Sequence, residues 1–161
     1  MKRLVGALLV VAVTTGVRAV PAAATKKPTS PTVGSTITTR LVKVTLHAYR
    51  QPVTVHRPVE TTTAGQETAA INVEVCNTTT STQAVGPFQF FLEAPDHHLV
   101  FPAKTIGTPR PQLHATPLAK HRCTRGWMSY QVPVGTRATF VVFQAGAMFT
   151  DTLHRWSVPK P

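Results

Sequence analysis

Apolar and polar residues alternate with a period of two through most of this chain, and this pattern limits its fold more than any other feature. Between residues 40 and 49, Val42, Val44, Leu46 and Ala48 alternate with polar side chains, as in a half-exposed β-strand. Alternating runs also occupy Ala70–Cys76, Phe88–Glu93 and Trp127–Val132. Thr139–Phe143 is continuously apolar, which is typical of a central strand, and the short segments His98–Phe101 and Leu153–Val158 are further strand candidates. No segment carries an apolar stripe at helical spacing, so we predict an all-β domain.

The alternation also predicts which side chains face the core. Ile71, Val73 and Val75 are expected to point inward, whereas Asn72 and Glu74 point outward. In later runs the expected core-facing residues are Phe88, Phe90, Leu92, Met128, Tyr130 and Val132. Gly- and Pro-containing turns separate the runs and leave roughly six to eight short antiparallel strands, which favours a two-sheet sandwich over a closed barrel.

The first residues have the three parts of a secretory signal peptide. Lys2 and Arg3 precede the apolar segment Leu4–Val13, and small residues follow as far as Ala24. We predict cleavage after Ala24, with Ala19 as the alternative, because the apolar segment is too short to span a membrane. Residues 25–34 are rich in Lys, Pro and Thr and are interpreted as a linker, and residues 35–161 as the secreted domain.

Two cysteines, Cys76 and Cys123, remain in the secreted chain. In an oxidising compartment they are expected to form a disulfide, which would stabilise the domain by about 4 kcal/mol through its long enclosed loop. A metal site joining both cysteines to His121 is the alternative, but the paired spacing of zinc ligands is missing. Because Cys76 falls on the polar side of its strand, the bridge should lie at a strand end.

Three segments resemble a broad family of actinobacterial secreted immunoglobulin-like domains of unknown function, related in fold to a mycobacterial secreted immunogenic antigen. The segments are Ile71–Thr78, Phe88–Leu92 and Arg122–Pro133, and the last contains the pattern Cys-x-x-Gly-Trp. The resemblance covers about residues 35–145. It implies an immunoglobulin-like two-sheet antiparallel β-sandwich with a Cys76–Cys123 bridge, and it implies no catalytic residue.

The sequence offers little support for an enzyme, a cofactor or nucleic-acid binding. It has six carboxylates, no G-x-S-x-G elbow and no H-E-x-x-H spacing among its seven histidines. Its basic residues are not interleaved with base-stacking aromatics. We therefore predict a non-enzymatic protein without cofactor, metal or nucleic-acid partner, and keep a histidine-based metal binder as an alternative.

The strongest functional candidate is the long basic connection from Pro102 to Arg125. Removal of the signal peptide takes away three cations and leaves a formal net charge of about +8, down from +11. The connection contains no acidic residue, and long loops in compact domains are often functional. We predict that it binds an anionic cell-wall polymer, a membrane surface or an acidic protein through Lys104, Arg110, Lys120, Arg122, Arg125 and Trp127. A secreted structural or immunogenic protein without a specific ligand is the rival hypothesis, and the sequence does not fix the oligomeric state.

Overall fold

A computed structural model describes residues 30–53, 63–103, 108–146 and 152–160. The predicted signal peptide and residues 25–29 of the linker lie outside these ranges. The strands in the described ranges are β1 Thr36–Thr38, β2 Val42–Arg50, β3 Gln66–Asn77, β4 Gln83–Val85, β5 Phe90–Glu93, β6 Leu99–Val100, β7 Thr116–Leu118, β8 Cys123–Pro133, β9 Phe140–Gln144 and β10 Leu153–Ser157. No helix in this part of the chain is long and apolar enough to cross a membrane.

The strands form two four-stranded sheets and one short ribbon. The first sheet has the order β1-β2-β3-β8, the second has the order β10-β9-β5-β6, and β4 pairs with β7. All of these strand pairings are antiparallel. The continuously apolar β9 lies between β10 and β5, as expected for a central strand. The predicted antiparallel β-sandwich is therefore confirmed.

The core lies between the two four-stranded sheets and contains most of the side chains that the alternation placed there. On β3, Ile71, Val73 and Val75 are fully buried, and on β8 Tyr130 is fully buried as well. Trp156 of β10 is also fully buried, and its Nε1 donates a hydrogen bond of 3.1 Å to the Ser35 carbonyl. Backbone hydrogen bonds to the domain begin at Pro31, four residues before the predicted domain start.

The expected inward position of Ala48 is wrong because β2 contains a β-bulge. The register with β3 shifts between Leu46 and Ala48, so that one additional residue is accommodated on β2. Such a shift reverses the side of the sheet on which every later residue lies. Tyr49 therefore packs against the core in place of Ala48, and Arg50 is exposed on the outer face.

The expected inward position of Phe88 is also wrong, because β5 begins only at Phe90. Pro87–Gln89 forms a single 3₁₀ turn, and the Gln89 Oε1 accepts a hydrogen bond of 3.1 Å from the Gly86 N–H. This turn leaves the Phe88 side chain 63% exposed. Phe90 and Leu92 are fully buried, as predicted.

The disulfide joins neighbouring strands of the first sheet. Cys76 of β3 and Cys123 of β8 face each other at the last position of their register, with Cα atoms 4.0 Å apart. The bridge thus lies at a strand end and outside the core, as its position on the polar side of β3 predicted. It anchors the end of the basic connection to the sheet.

Candidate functional site

The predicted binding residues fall into two groups. Arg110, Lys120 and Arg122 lie in loops, and their exposed side chains make no hydrogen bond or ion pair to a described residue. Arg125 and Trp127 lie within β8. The sixth predicted residue, Lys104, lies outside the described residues. The first group therefore contributes unpaired charge, and only the second group is built into the sheet.

The connection between Pro102 and Arg125 is closely attached to the domain along its described length. Its residues 116–118 form β7, and β8 already begins at Cys123. Beside the edge of β8, the Leu113 N–H donates to the Trp127 carbonyl at 2.9 Å and the Trp127 N–H donates to the Pro111 carbonyl at 2.8 Å. The segment 111–113 thus runs parallel to the edge of β8 and pairs with it at Trp127.

Gly126 makes this close pairing possible. A Cβ atom at this position would lie 2.3 Å from the Leu113 backbone nitrogen, which is closer than such atoms approach in real structures. Any side chain at position 126 would therefore push the segment 111–113 away from β8. The glycine of the Cys-x-x-Gly-Trp pattern is thus explained by close packing of two backbone segments.

Arg125 lies on the outer face of the first sheet and is fixed by a neighbour. Its Nε donates a hydrogen bond of 2.8 Å to the Oδ1 of Asn72, which is nearly fully buried. Asn72 faces Trp127 across the β3–β8 strand pair. Arg125 precedes Trp127 by two residues on β8, so the two side chains are neighbours on the same face of the sheet. The hydrogen bond leaves the terminal nitrogens of the Arg125 guanidinium available to another acceptor.

Arg50 completes this arrangement, and sequence reasoning missed it. Its guanidinium carbon lies 4.7 Å from the centroid of the Trp127 ring, in a cation–π contact. Strict alternation in β2 would have placed Arg50 on the core side, and only the bulge after Leu46 brings it to the outer face. No sequence signal marks the position of that bulge.

Positive charge exceeds negative charge on the outer face of the first sheet. Lys43, Arg50 and Arg125 are exposed there, whereas the carboxylate on that face is Glu74, whose Oε2 lies 3.1 Å from His47 Nε2. We call Lys43, Arg50, Arg125 and Trp127 the cationic face. Its two arginines are oriented by contacts to Trp127 and Asn72.

The second sheet carries a buried carboxylate with its own partners. Glu93 accepts hydrogen bonds of 2.8 Å from Arg155 Nε and from His97 Nδ1. Burial acts to raise the pKa of Glu93, but the two hydrogen bonds and the adjacent positive charge outweigh it and lower the pKa. The Glu93 carboxylate is thus held in its ionised form and makes a structural ion pair with Arg155.

One cluster of metal-type ligands occurs in the described ranges, and it contains the disulfide. A Glu74 carboxylate oxygen and the Sγ atoms of Cys76 and Cys123 lie within 4.8 Å of one another. The two sulfur atoms are bonded to each other, so neither is a thiolate ligand. The alternative of a site formed by both cysteines and His121 is therefore wrong for the oxidised protein.

A cavity of about 230 Å³ lies beside the edge of β8, and Trp127 belongs to both the cavity and the cationic face. Its apolar walls include Phe88, Leu113, Trp127 and Met128. Ser129 also lines it, and the buried Oγ of Ser129 has no hydrogen-bond partner in the described structure. No carboxylate lines this cavity among the described residues. We call it the β8 cavity.

Comparison with known proteins identifies a family without an established function. Residues 31–154 match the family described as "Domain of unknown function (DUF4352)". No curated protein matches the chain.

Several solved structures share the fold at low sequence identity. The yjhA protein of Bacillus subtilis is 16% identical with a TM-score of 0.63, and the match covers 80% of this chain and 99% of that one. The secreted protein MPT63 of Mycobacterium tuberculosis is 13% identical with a TM-score of 0.57, covering 81% and 98% of the two chains. The ycdA protein of Bacillus subtilis, described as a "putative lipoprotein", is 13% identical with a TM-score of 0.60. That match covers 80% of this chain and 39% of the ycdA chain, so this chain spans about two fifths of that protein. The predicted relation in fold to a mycobacterial secreted protein is confirmed.

Proposed function

The chain belongs to the DUF4352 family of domains of unknown function, and from that premise we propose that it is a secreted, non-enzymatic module that binds an oxyanion-bearing component of the cell envelope. The observation that carries this proposal is the pair of guanidinium groups, Arg50 and Arg125, fixed beside Trp127 on an exposed sheet face. The predicted signal peptide supports a place outside the cytoplasm. The fold is shared with a secreted protein and a lipoprotein, which agrees with that location.

Two fixed arginines suit phosphate or carboxylate groups. A guanidinium is planar, stays charged and donates paired hydrogen bonds that match the spacing of oxyanion oxygens. The contacts with Trp127 and Asn72 restrict the Arg50 and Arg125 side chains before any ligand arrives. Less conformational entropy is then lost on binding, which raises affinity without further contacts.

The remaining charges favour approach of an anion. The side chains of Arg110, Lys120 and Arg122 are exposed without a partner in the described structure and add to the positive potential. Glu74, the carboxylate on the cationic face, already contacts His47. An acidic protein would present carboxylates to the same cationic face.

The test is binding of the secreted, oxidised protein to phosphatidylglycerol vesicles and to soluble polyphosphate, with phosphatidylcholine vesicles as the reference. The double variant Arg50→Gln/Arg125→Gln should bind about tenfold or more weakly, because it removes two charge-assisted contacts. The matched control Arg40→Gln/Lys160→Gln removes the same charge from the β1–β2 turn and the C-terminal segment, and it should retain most of the binding.

Three outcomes would contradict the proposal. Equal losses in the two double variants would show that net charge alone drives adsorption. Binding to phosphatidylcholine as strong as to phosphatidylglycerol would exclude oxyanion recognition. Failure to bind either anionic probe at low salt would favour the hypothesis of a protein without such a ligand.

A further inference from the structure

The β8 cavity and the cationic face meet at Trp127, and this junction indicates the kind of anion that the site accepts. We propose that the site binds a phosphate-bearing amphiphile, with its headgroup on Arg50 and Arg125 and its alkyl chain in the β8 cavity. The proposal rests on the proposed function, because it names the ligand class of the same cationic face. It also requires that an apolar chain on the ligand increase the affinity, which oxyanion binding alone does not require.

The walls of the cavity suit an alkyl chain better than a sugar or a polar peptide. Phe88, Leu113, Trp127 and Met128 present aromatic and flexible aliphatic surface, and Met adapts readily to irregular apolar ligands. Gln112, His114 and Ser129 also line the cavity, but a polar ligand would lose hydrogen bonds to water along its apolar walls. Phe88 is 63% exposed, so a chain that covers it removes apolar surface from water.

The charged part of the same ligand would lie next to this cavity. Arg50 contacts the Trp127 ring directly, so the cationic group and the cavity wall are separated by no more than one side chain. Arg110 lies in the segment that leads to Gln112 and Leu113 of the cavity wall, and it has no partner in the described structure. An amphiphile whose phosphate is attached directly to its chain would match this short separation.

Ser129 marks the boundary between the two halves of the site. Ser129 faces Ala70 of β3, and Ala70 in turn faces Arg50 of β2, so Ser129 lies in line with Arg50 across the sheet. Ser129 also lines the β8 cavity. Its buried Oγ lacks a hydrogen-bond partner in the described structure, which is costly for a hydroxyl. An ester oxygen between headgroup and chain would accept that hydrogen bond.

The experiment measures Trp127 fluorescence while the secreted, oxidised protein is titrated with inorganic phosphate, butyl phosphate and octyl phosphate below its micelle concentration. Trp156, the other tryptophan, is fully buried, so we expect the change to come from Trp127. Each methylene buried in the cavity should tighten binding about fourfold, until the cavity is full. Octyl phosphate should therefore bind much more tightly than butyl phosphate.

Two variants separate the chain from the charge. Ala103→Leu fills part of the cavity from its wall and should remove most of the advantage of octyl over butyl phosphate. It should leave polyphosphate binding unchanged, which also shows that the variant folds. Arg50→Gln/Arg125→Gln should weaken all the phosphates while keeping the dependence on chain length.

The outcomes distinguish failure of this inference from failure of the proposed function. If all the phosphates bind equally and only the arginine variant weakens them, the oxyanion site stands and the amphiphile proposal is wrong. If octanol binds as tightly as octyl phosphate, the cavity is an apolar pocket unrelated to the cationic face, and the proposal is also wrong. If neither the alkyl phosphates nor the anionic vesicles bind, both proposals fail.

Discussion

The hydroxyl group of Tyr130 is expected to lower the stability of the folded protein. The side chain is fully buried in the core of β8, and its hydroxyl has no hydrogen-bond partner in the described structure. A buried hydroxyl without a partner costs about 1–3 kcal/mol. Tyr130→Phe removes that group and leaves the ring, so the free energy of unfolding should rise by about 1 kcal/mol.

Tyr49 provides the matched control, because its hydroxyl has a partner. The Tyr49 hydroxyl donates a hydrogen bond to Gln51 Oε1. The Gln51 Nε2 in turn donates to Glu67 Oε1 at 2.6 Å and to the Thr136 carbonyl at 2.7 Å. Tyr49→Phe breaks one member of this network, so it should lower the free energy of unfolding by about 1 kcal/mol.

Urea unfolding of the oxidised protein at pH 7, followed by tryptophan fluorescence, measures both changes. The two variants should shift the midpoint in opposite directions without changing the slope of the transition. If Tyr130→Phe destabilises the protein by about 1 kcal/mol or more, its hydroxyl has a partner and the reasoning is refuted. Equal shifts for the two variants would refute it as well.

The same hydroxyls predict a loss of stability at alkaline pH. Burial is the largest influence on both tyrosines: it raises the pKa of Tyr49, and it raises the pKa of Tyr130 well above its usual value. The unfolded chain releases these protons near pH 10, whereas the folded chain keeps them, so stability falls as the pH rises above about 10. Absorbance at 295 nm should show no tyrosinate until the protein unfolds. Ionisation of both tyrosines in the folded protein near pH 10 would contradict this.

Three further predictions follow from other contacts. Gly126→Ala should cost about 3 kcal/mol or more in urea unfolding and expose residues 111–113 to proteases, whereas Gly65→Ala, strained only by its positive φ, should cost about 1 kcal/mol. The lowered pKa of Glu93 contributes stability that is lost as the pH falls through that pKa, so Arg155→Gln should raise the pH of acid unfolding; an unchanged midpoint would contradict this. Replacing both cysteines with serine should cost about 4 kcal/mol in urea unfolding, and a loss below about 1 kcal/mol would refute the loop-entropy estimate.

The fold could be predicted largely from the sequence because alternation determines which face of a strand is buried. On β3 the prediction succeeds from Ala70 to Cys76, since β3 pairs with β8 in an unbroken register and the extra residue of the β2–β3 pairing lies on β2. It fails at Ala48, where one extra residue in β2 reverses the pattern, and at Phe88, where a 3₁₀ turn delays β5. Both failures depend on local hydrogen bonding that apolar periodicity does not encode.

The candidate site could be predicted only in part, for the same reason. Arg125 was predicted as a cation of the basic connection and Trp127 as its neighbour, and the structure places them two residues apart on one face of β8. Arg50 was missed because its place on that face depends on the bulge in β2. The loop cations were identified by composition alone, and composition carries no information on which of them a neighbouring side chain fixes in place.

The Cys-x-x-Gly-Trp segment can now be interpreted as one structural unit. Cys123 fixes the start of β8 to β3, and Gly126 lets the segment 111–113 pair closely with the edge of the strand. Trp127 then lies between Arg50 and the β8 cavity. Cys123 and Gly126 therefore both support the position of Trp127, the first through a covalent bond and the second through close backbone packing. If the proposed ligand is correct, ligand binding should depend more on Trp127 than on any other residue of this segment. Trp127→Leu should retain the fold but lose oxyanion binding together with the dependence on chain length, because one ring serves both halves of the site.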